Sequence, residues 1–298
     1  MDTAAVNHIT KAFMDKIAVN DLSFSIRPGE IFGLIGPNGA GKTTTIKMML
    51  DIIKPDSGEV KILGENFSEA SKNKIGYMPE ERGLYKKQRV LETIVYLASL
   101  KGMRPRDAAV KATSMLEQTG MLPYARKKMD ELSKGMGQII QFIVTTLHDP
   151  QLLIMDEPFS GLDPVNTESF KQMLVDLRDR GRSIILSTHQ MNQVEEMCDR
   201  ILMINHGRAV LYGGLKEIKA EYSSNSVVLA YEGNPGELPG VKQKIGRKDA
   251  MELFLDEKTT PQQLLETLLA RGVTINRFEI ATPPLTEIFI KVAGEKYE

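Results

Sequence analysis

The 298 residues predict an α/β fold with a mainly parallel sheet and helices on both of its faces, followed by a smaller α+β domain. Three observations carry this expectation. The apolar runs EIFGLIG, QLLIMDEP and RSIILSTH alternate with longer helix-like stretches, the pattern of parallel strands joined by crossover helices. A glycine-rich loop, GPNGAGKTT, stands between the first of these runs and a helix-like stretch. After about Leu215 the pattern changes again, to short strands and short helices.

Taken in order, AVNHIT and LSFSIRPGE read as two early strands, EIFGLIG as an apolar strand closed by glycine, and TTTIKMMLDII as a buried helix. KPDSGEVKILG gives a turn and a short strand. From about Val90 to Lys128 the character turns helical, with LETIVYLASLKGM and AAVKATSMLEQTGM punctuated by glycine and RPRD. QLLIMDEP and RSIILSTH then flank the helical VNTESFKQMLVDLRDRG, and DRILMINHGRAVLYG reads as a hairpin turning at His206-Gly207. Beyond it SSNSVVLAYEG, AMELFLDE and VTINRFEIA resemble strands, TPQQLLETLLARG and PPLTEIFIKVAG resemble helices, and GNPGELPG is a turn-rich connection. The expected division is a first domain over 1–215, with a helical subdomain over about 82–130, and a small accessory domain over 216–298.

Composition narrows the function classes. Charged residues make up 26% and the formal net charge is −1, so no overall field draws the chain to nucleic acid or anionic lipid. The single cysteine, Cys198, excludes an internal disulfide framework and agrees with a reducing compartment. MDTAAVNHITKAF lacks the basic start and apolar core of a secretion signal, and no apolar run approaches the ~18 residues that span a bilayer. The expectation is a soluble chain whose membrane role comes through a partner.

Chemistry concentrates in a few segments. GPNGAGKTT comprises Gly36, Pro37, Asn38, Gly39, Ala40, Gly41, Lys42, Thr43 and Thr44, and fits G-x-x-x-x-G-K-[ST] between strand and helix. Glycines let backbone N–H groups curl around phosphate oxygens, and the helix N-terminus adds partial positive charge. Lys42 suits the β- and γ-phosphates, and the Thr43 hydroxyl suits Mg²⁺. The competing reading, a glycine turn with an incidental lysine, leaves the flanking strand and helix without a purpose. QLLIMDEP ends a buried strand in two carboxylates. Asp156 suits the metal, and Glu157 suits a base that polarises an attacking water, an effect typically of about 10²–10⁴-fold. Acidic pairs at strand ends also cap helices, an alternative weakened here by the phosphate loop upstream. His189, just past SIILST, stands where parallel sheets place functional groups, as a candidate bond to the γ-phosphate and water. An ordinary polar loop residue is its alternative, and that reading is kept for His8, His148 and His206.

ELSKGMGQ is a second small glycine-containing element, almost a hundred residues downstream of the phosphate loop. Read together, GPNGAGKTT, LSKGMGQ, LLIMDEP, SGLD (Ser160 to Asp163) and STH resemble, in that order and over roughly residues 4 to 215, the ATP-binding subunit of an ABC transporter. Small GTPases and nucleotide kinases share the phosphate loop and a version of the acidic strand, but not LSxG followed by SGLD.

The resemblance implies a P-loop NTPase of the ABC ATPase type, with an antiparallel β portion and a helical subdomain, that binds ATP and Mg²⁺. Two such domains would pair head to tail. Ser133 and Gly135 would then serve the nucleotide of the partner chain rather than their own. Ser133 also fits a plain helix N-cap, and the two roles are compatible. By the same resemblance Phe13 stacks on adenine (the alternative being one more core aromatic), Asp163 lies at the dimer seam, and Thr43 and Asp156 share the metal. LSGGQ reads LSKGM here, with Lys134 and Met136 substituted. In IGYMPEERGLY, Glu80 stands where the family commonly has glutamine, as a candidate metal ligand that makes metal-free nucleotide binding less favourable. The implied partners are an integral-membrane permease and a second ATPase subunit, either another copy or a sister chain. The implied location is the cytoplasmic face of the membrane, peripheral and held through the permease. No nucleic-acid partner is expected. The closing TPPLTEIFIKVAGE is similar to tails on bacterial ATPases that serve small exporters, including sodium and drug exporters. An ABC-type ATPase acting on ribosomes or DNA is the alternative; such proteins usually carry two domains in one chain or long coiled arms, and neither is seen here. A non-catalytic half-site partner would need a damaged Lys42, Asp156, Glu157 or His189.

Overall fold

The computed structural model describes residues 2–14, 16–81, 83–246 and 248–295. Arg82, where the expected helical subdomain begins, and positions 1 and 298, which bound the expected domains, lie outside the described residues. The chain divides into two compact units, Met1–Leu215 and Lys216–Glu298.

The first unit opens with β1 (Ala4–Phe13), β2 (Lys16–Ile26), β3 (Ile31–Ile35) and α1 (Lys42–Met49), followed by β4 (Ser57–Ile62) and β5 (Glu65–Asn66). A short α2 (Glu69–Lys72) and β6 (Ile75–Met78) lead into the helices α3 (Val90–Leu100), α4 (Pro105–Gln118) and α5 (Lys134–Thr146). The unit is completed by β7 (Leu152–Asp156), α6 (Pro164–Asp179), β8 (Ser183–Thr188), α7 (Met191–Met197) and the hairpin β9 (Arg200–Asn205) and β10 (Arg208–Gly214).

Two sheets result. An antiparallel one runs β2-β1-β4-β5, and a six-stranded one runs β10-β9-β3-β8-β7-β6. Within the larger sheet β3 is parallel to both β8 and β9, β7 pairs in parallel with β8 and β6, and only β10 is antiparallel. The central strands IFGLI, LLIMD and SIILST are buried at every position, as parallel strands covered on both faces require. Side chains along β3 alternate between the faces. Phe32 and Leu34 join a core with Ile46 and Met49 of α1 and with Val6 and Leu22 of the antiparallel sheet. Gly33 faces Val194 and Cys198 on the other side, where an added Cβ would meet three side-chain atoms at 3.1–3.2 Å.

The helices obey their end signals. Pro105 and Pro164 occupy first-turn positions, where a missing N–H costs nothing, and Asp163 caps α6 through its side chain. Val90, Ile94, Ala108, Ala112, Leu116, Ile140 and Ile143 form a separate helical core. Here the structure departs from the simple sequence division. Residues 83–89 are not helical, and α5 belongs to the same packed cluster because its Ile139, Ile140 and Ile143 face α3 and α4. The helix expected over TTTIKMMLDII ends earlier, at Met49, because Asp51 turns the chain into the left-handed region (φ 57°) and exposes Ile52.

In the second unit, α8 (Leu215–Glu221, starting on the last residue of the first unit) precedes β11 (Ser226–Glu232), β12 (Val241–Gly246) and β13 (Met251–Leu255). Next come α9 (Pro261–Ala270), β14 (Thr274–Ile280) and α10 (Leu285–Glu295). Its antiparallel sheet has the order β12-β13-β11-β14. Val227, Leu229 and Leu253 pack against Leu264 and Leu268 of α9, which carries a Thr260/Gln263 capping box. Among the described residues no helix is long and apolar enough to cross a membrane.

Candidate active site

The phosphate loop follows β3 and ends on α1. Its shape depends on glycine at two points. Gly36 (φ 149°) passes so close to β9 that a Cβ would lie 2.1 Å from the Ile204 carbonyl oxygen. At Gly41 (φ 113°) a Cβ would lie 2.5 Å from that of Ala18. Gly41 is the N-cap of α1 and brings no side-chain cap, so the first amides of the helix are left for a ligand. Lys42 is buried, with Nζ donating to the carbonyls of Gly36 at 2.8 Å and Pro37 at 3.2 Å. Burial lowers its pKa below the ordinary lysine value, against the opposing pull of Glu157, Asp156 and Glu80.

Sheet order brings the acidic pair alongside. β7 is separated from β3 only by β8, so Asp156 reaches α1, where it accepts from Thr43 Oγ1 at 3.0 Å. Its other oxygen accepts from Ser187 Oγ at 2.6 Å. Glu157 follows in the left-handed region (φ 48°) and is almost wholly buried. Its carboxylate accepts from Thr188 Oγ1 at 2.9 Å and from the His189 backbone N–H at 3.0 Å, and His189 Nδ1 lies 2.6 Å from the same Oε1. An ionised carboxylate only accepts, so the shared proton belongs to Nδ1 and Nε2 is the nitrogen left for a ligand. A neutral imidazole in that tautomer accepts at Nε2 and donates nothing there.

These groups border one open cleft of about 560 Å³. Phe13, Asn38, Gly39, Gly41, Lys42, Thr43, Thr44, Glu80, Asp156 and Glu157 line it, and Lys16 and Ala18 join them. Phe13 is half-exposed at the end of β1, which sets aside the core-aromatic alternative. Gly36, Pro37 and Ala40 belong to the same loop without lining the cleft, and His189 reaches it through Glu157. Glu80 and Asp156 also act on the Tyr77 phenol, which burial first and their charges second push up to about 12.

Ser133, Gly135 and Asp163 do not line this cleft. Ser133 Oγ accepts from the Met136 N–H at 3.2 Å and so caps α5. Gly135 abuts the following loop, where a Cβ on it would lie 3.3 Å from the Gly161 carbonyl oxygen. Asp163 accepts from the Asn166 N–H at 3.0 Å, and this bond first of all holds its carboxyl below the usual aspartate range.

Sequence reasoning missed Lys16 and Ala18, which only hairpin pairing carries to the phosphate loop. It also missed Ser187 and Thr188 as partners of the carboxylates, although hydroxyls at the end of an apolar strand are a usable signal. The other histidines bond elsewhere. His8 Nδ1 lies 2.8 Å from Asp21 Oδ1 at the surface, and His148 Nε2 lies 3.2 Å from the Ile75 carbonyl oxygen.

The oxygens gathered at Thr43 and Asp156 suit a hard cation such as Mg²⁺. Among the described residues no three His, Cys, Asp or Glu side chains converge as a self-sufficient metal site. Mg²⁺ fits such a site because it draws much of its coordination from phosphate and water.

Comparison with known proteins places the chain in a family. The family described as "ABC transporter" matches residues 19–160, and "ATP-binding protein DrrA1-3-like, C-terminal domain" matches residues 213–293. YhaQ of Bacillus subtilis (strain 168), an uncharacterized ABC transporter ATP-binding protein, is 41% identical over 98% of this chain and 99% of its own. Nod factor export ATP-binding protein I of Rhizobium sp. (strain N33) is 34% identical over 97% of this chain and 96% of its own. A solved ATP-binding subunit of an ABC transporter superposes with a TM-score of 0.69 at 27% identity, covering 74% of this chain and 93% of that one. With a relative of such identity along nearly the whole length, and a phosphate loop and acidic strand end lining one cleft, the chain belongs to the ATP-binding subunits of ABC transporters and is an ATPase.

Proposed function

We propose that two such subunits pair head to tail, that each hydrolyses ATP in a pocket completed by the other, and that the pair drives export through a separate membrane permease. One observation carries the pairing. The cleft with Lys42, Asp156 and Glu157 is open, and Ser133 and Gly135, the residues expected against the γ-phosphate, are absent from its lining. Both lie at the N-terminus of α5, whose first turn holds no acidic residue to repel an anion. Export is supported by the likeness to a Nod factor export ATP-binding protein.

In this reading Phe13 stacks on the base, the loop amides and Lys42 hold the phosphate chain, and Thr43, Asp156 and Glu80 hold Mg²⁺. Bound Mg²⁺ supplies charge neutralisation at the phosphates. Glu157 takes a proton from the attacking water, and His189 and Thr188 fix the direction in which its carboxylate points. Closure of the pair favours ATP over ADP, because ADP leaves the seam one phosphate short. The dimer seam includes Asp163, and the helices from α3 to α4 pass the motion to the permease at the cytoplasmic face of the membrane. The chain is organised as an ATPase domain over 1–215 and an accessory domain over 216–298.

Glu157→Gln tests this. With ATP and Mg²⁺ the variant should elute as a dimer and turn over very slowly. A chain that stays monomeric under saturating ATP, or that retains wild-type turnover, contradicts the reading.

A further inference from the structure

Helix α5 buries Ile139, Ile140, Phe142 and Ile143, yet it also buries Gln138 and Gln141, which are 2% and 3% exposed. Three positions apart, the two amides share one face of the helix. Each makes the same kind of bond: Gln138 Nε2 donates to the Pro158 carbonyl at 2.8 Å, and Gln141 Nε2 donates to the Pro79 carbonyl at 2.8 Å. Pro158 directly follows Glu157, and Pro79 directly precedes Glu80. Both carbonyls lie just past the ends of β7 and β6, neighbouring parallel strands with Met155 opposite Met78. Such carbonyls have left the sheet ladder and need another donor.

The arrangement is not free. Gln141 Oε1 is buried without a partner among the described residues, a penalty that an apolar side chain would avoid. What the amides add is a fixed hold on two loops. The helix that makes this hold begins at the Ser133 cap.

We propose that Gln138 and Gln141 form a clasp of two positioning residues: they tie the helix that starts at Ser133 to the loops carrying Glu157 and Glu80. A shift of α5 on contact with the nucleotide of a second subunit then resets both carboxylates in the chain's own cleft. The clasp rests on the head-to-tail reading above and gives it a physical link between the two ATP sites. Packed side chains and hydrogen bonds between rigid elements are the means by which such coupling travels.

Gln138→Met and Gln141→Met keep side-chain length and remove the donor, and Gln138→Lys returns a donor able to reach a carbonyl. Each is made in the full-length chain, and ATPase rates are followed against ATP concentration. Each is also made in the Glu157→Gln background, where dimerisation with ATP is measured separately. The expected result is a fall in kcat of about tenfold or more with KM within about twofold, a Hill coefficient falling toward about one, and recovery in Gln138→Lys. Unchanged kcat in both Met variants, with the Glu157→Gln dimer intact, overturns the clasp and leaves head-to-tail pairing standing. A loss of kcat that tracks a lowered melting temperature and is not reversed by Gln138→Lys overturns it too, as simple packing. Absence of a dimer in the Glu157→Gln parent removes the head-to-tail reading and the clasp with it.

Discussion

His189 Nδ1 lies 2.6 Å from Glu157 Oε1, on a carboxylate that also accepts from Thr188 Oγ1 and from the His189 backbone N–H. Three donors from the end of β8 thus set the direction of a side chain whose own backbone is in the left-handed region. Because His189 bonds Glu157 and does not itself line the cleft, its loss should spare binding more than chemistry. His189→Ala should lower kcat by about 10²-fold or more while ATP affinity changes little. Nucleotide titration beside steady-state kinetics separates the two, and an affinity loss as large as the kcat loss would place His189 directly on the nucleotide.

Glu80 lines the cleft and contributes to the field at Lys42. Its negative charge should weaken ATP binding when Mg²⁺ is absent. Glu80→Gln should therefore raise metal-free ATP affinity and narrow the gap between titrations with and without Mg²⁺. An equal gap in both proteins would remove Glu80 from the metal.

Gly41→Ala would force a Cβ to within 2.5 Å of the Ala18 carbonyl oxygen at a φ of 113°. A destabilisation of about 1–3 kcal/mol is expected from the backbone strain, with ATP affinity lost as the hairpin moves. Chemical denaturation and nucleotide titration measure both.

Asp163 carries a pH signature. Its folded pKa is depressed, first of all by the Asn166 N–H, so the stability it contributes is present above the ordinary aspartate value of about 4. That contribution is lost as pH falls through the lower folded value. Asp163→Asn, which keeps an N-cap acceptor, should flatten the acid limb of the denaturation midpoint against pH. An unchanged limb would show that the cap does not titrate.

The structure was legible in the sequence where it is local. The phosphate loop, the acidic strand end and the His206-Gly207 turn each occupy a few consecutive residues with their own backbone requirements. Both residues of that turn have positive φ, 45° and 75°. Lys16 and Ala18 were not legible, because β1–β2 pairing, rather than any local pattern, brings them to the loop. β12 was missed for another reason. Almost every residue of VKQKIG is exposed on a sheet edge, so no alternation of apolar and polar residues marks it. Gln138 and Gln141 left a trace, two amides three apart beside an apolar run, whose meaning depends on carbonyls 20 and 62 residues away.

The measurement closest to the central claim is complementation between two inactive chains. Lys42→Ala damages the phosphate loop and leaves the Ser133 segment whole; Ser133→Glu leaves the loop whole and places a repelling charge in the segment. If each pocket is built from both chains, every mixed dimer contains one intact pocket, and mixing the two proteins should restore ATP hydrolysis that neither shows alone. Failure to recover activity at any mixing ratio, or wild-type turnover by Ser133→Glu on its own, would contradict the account.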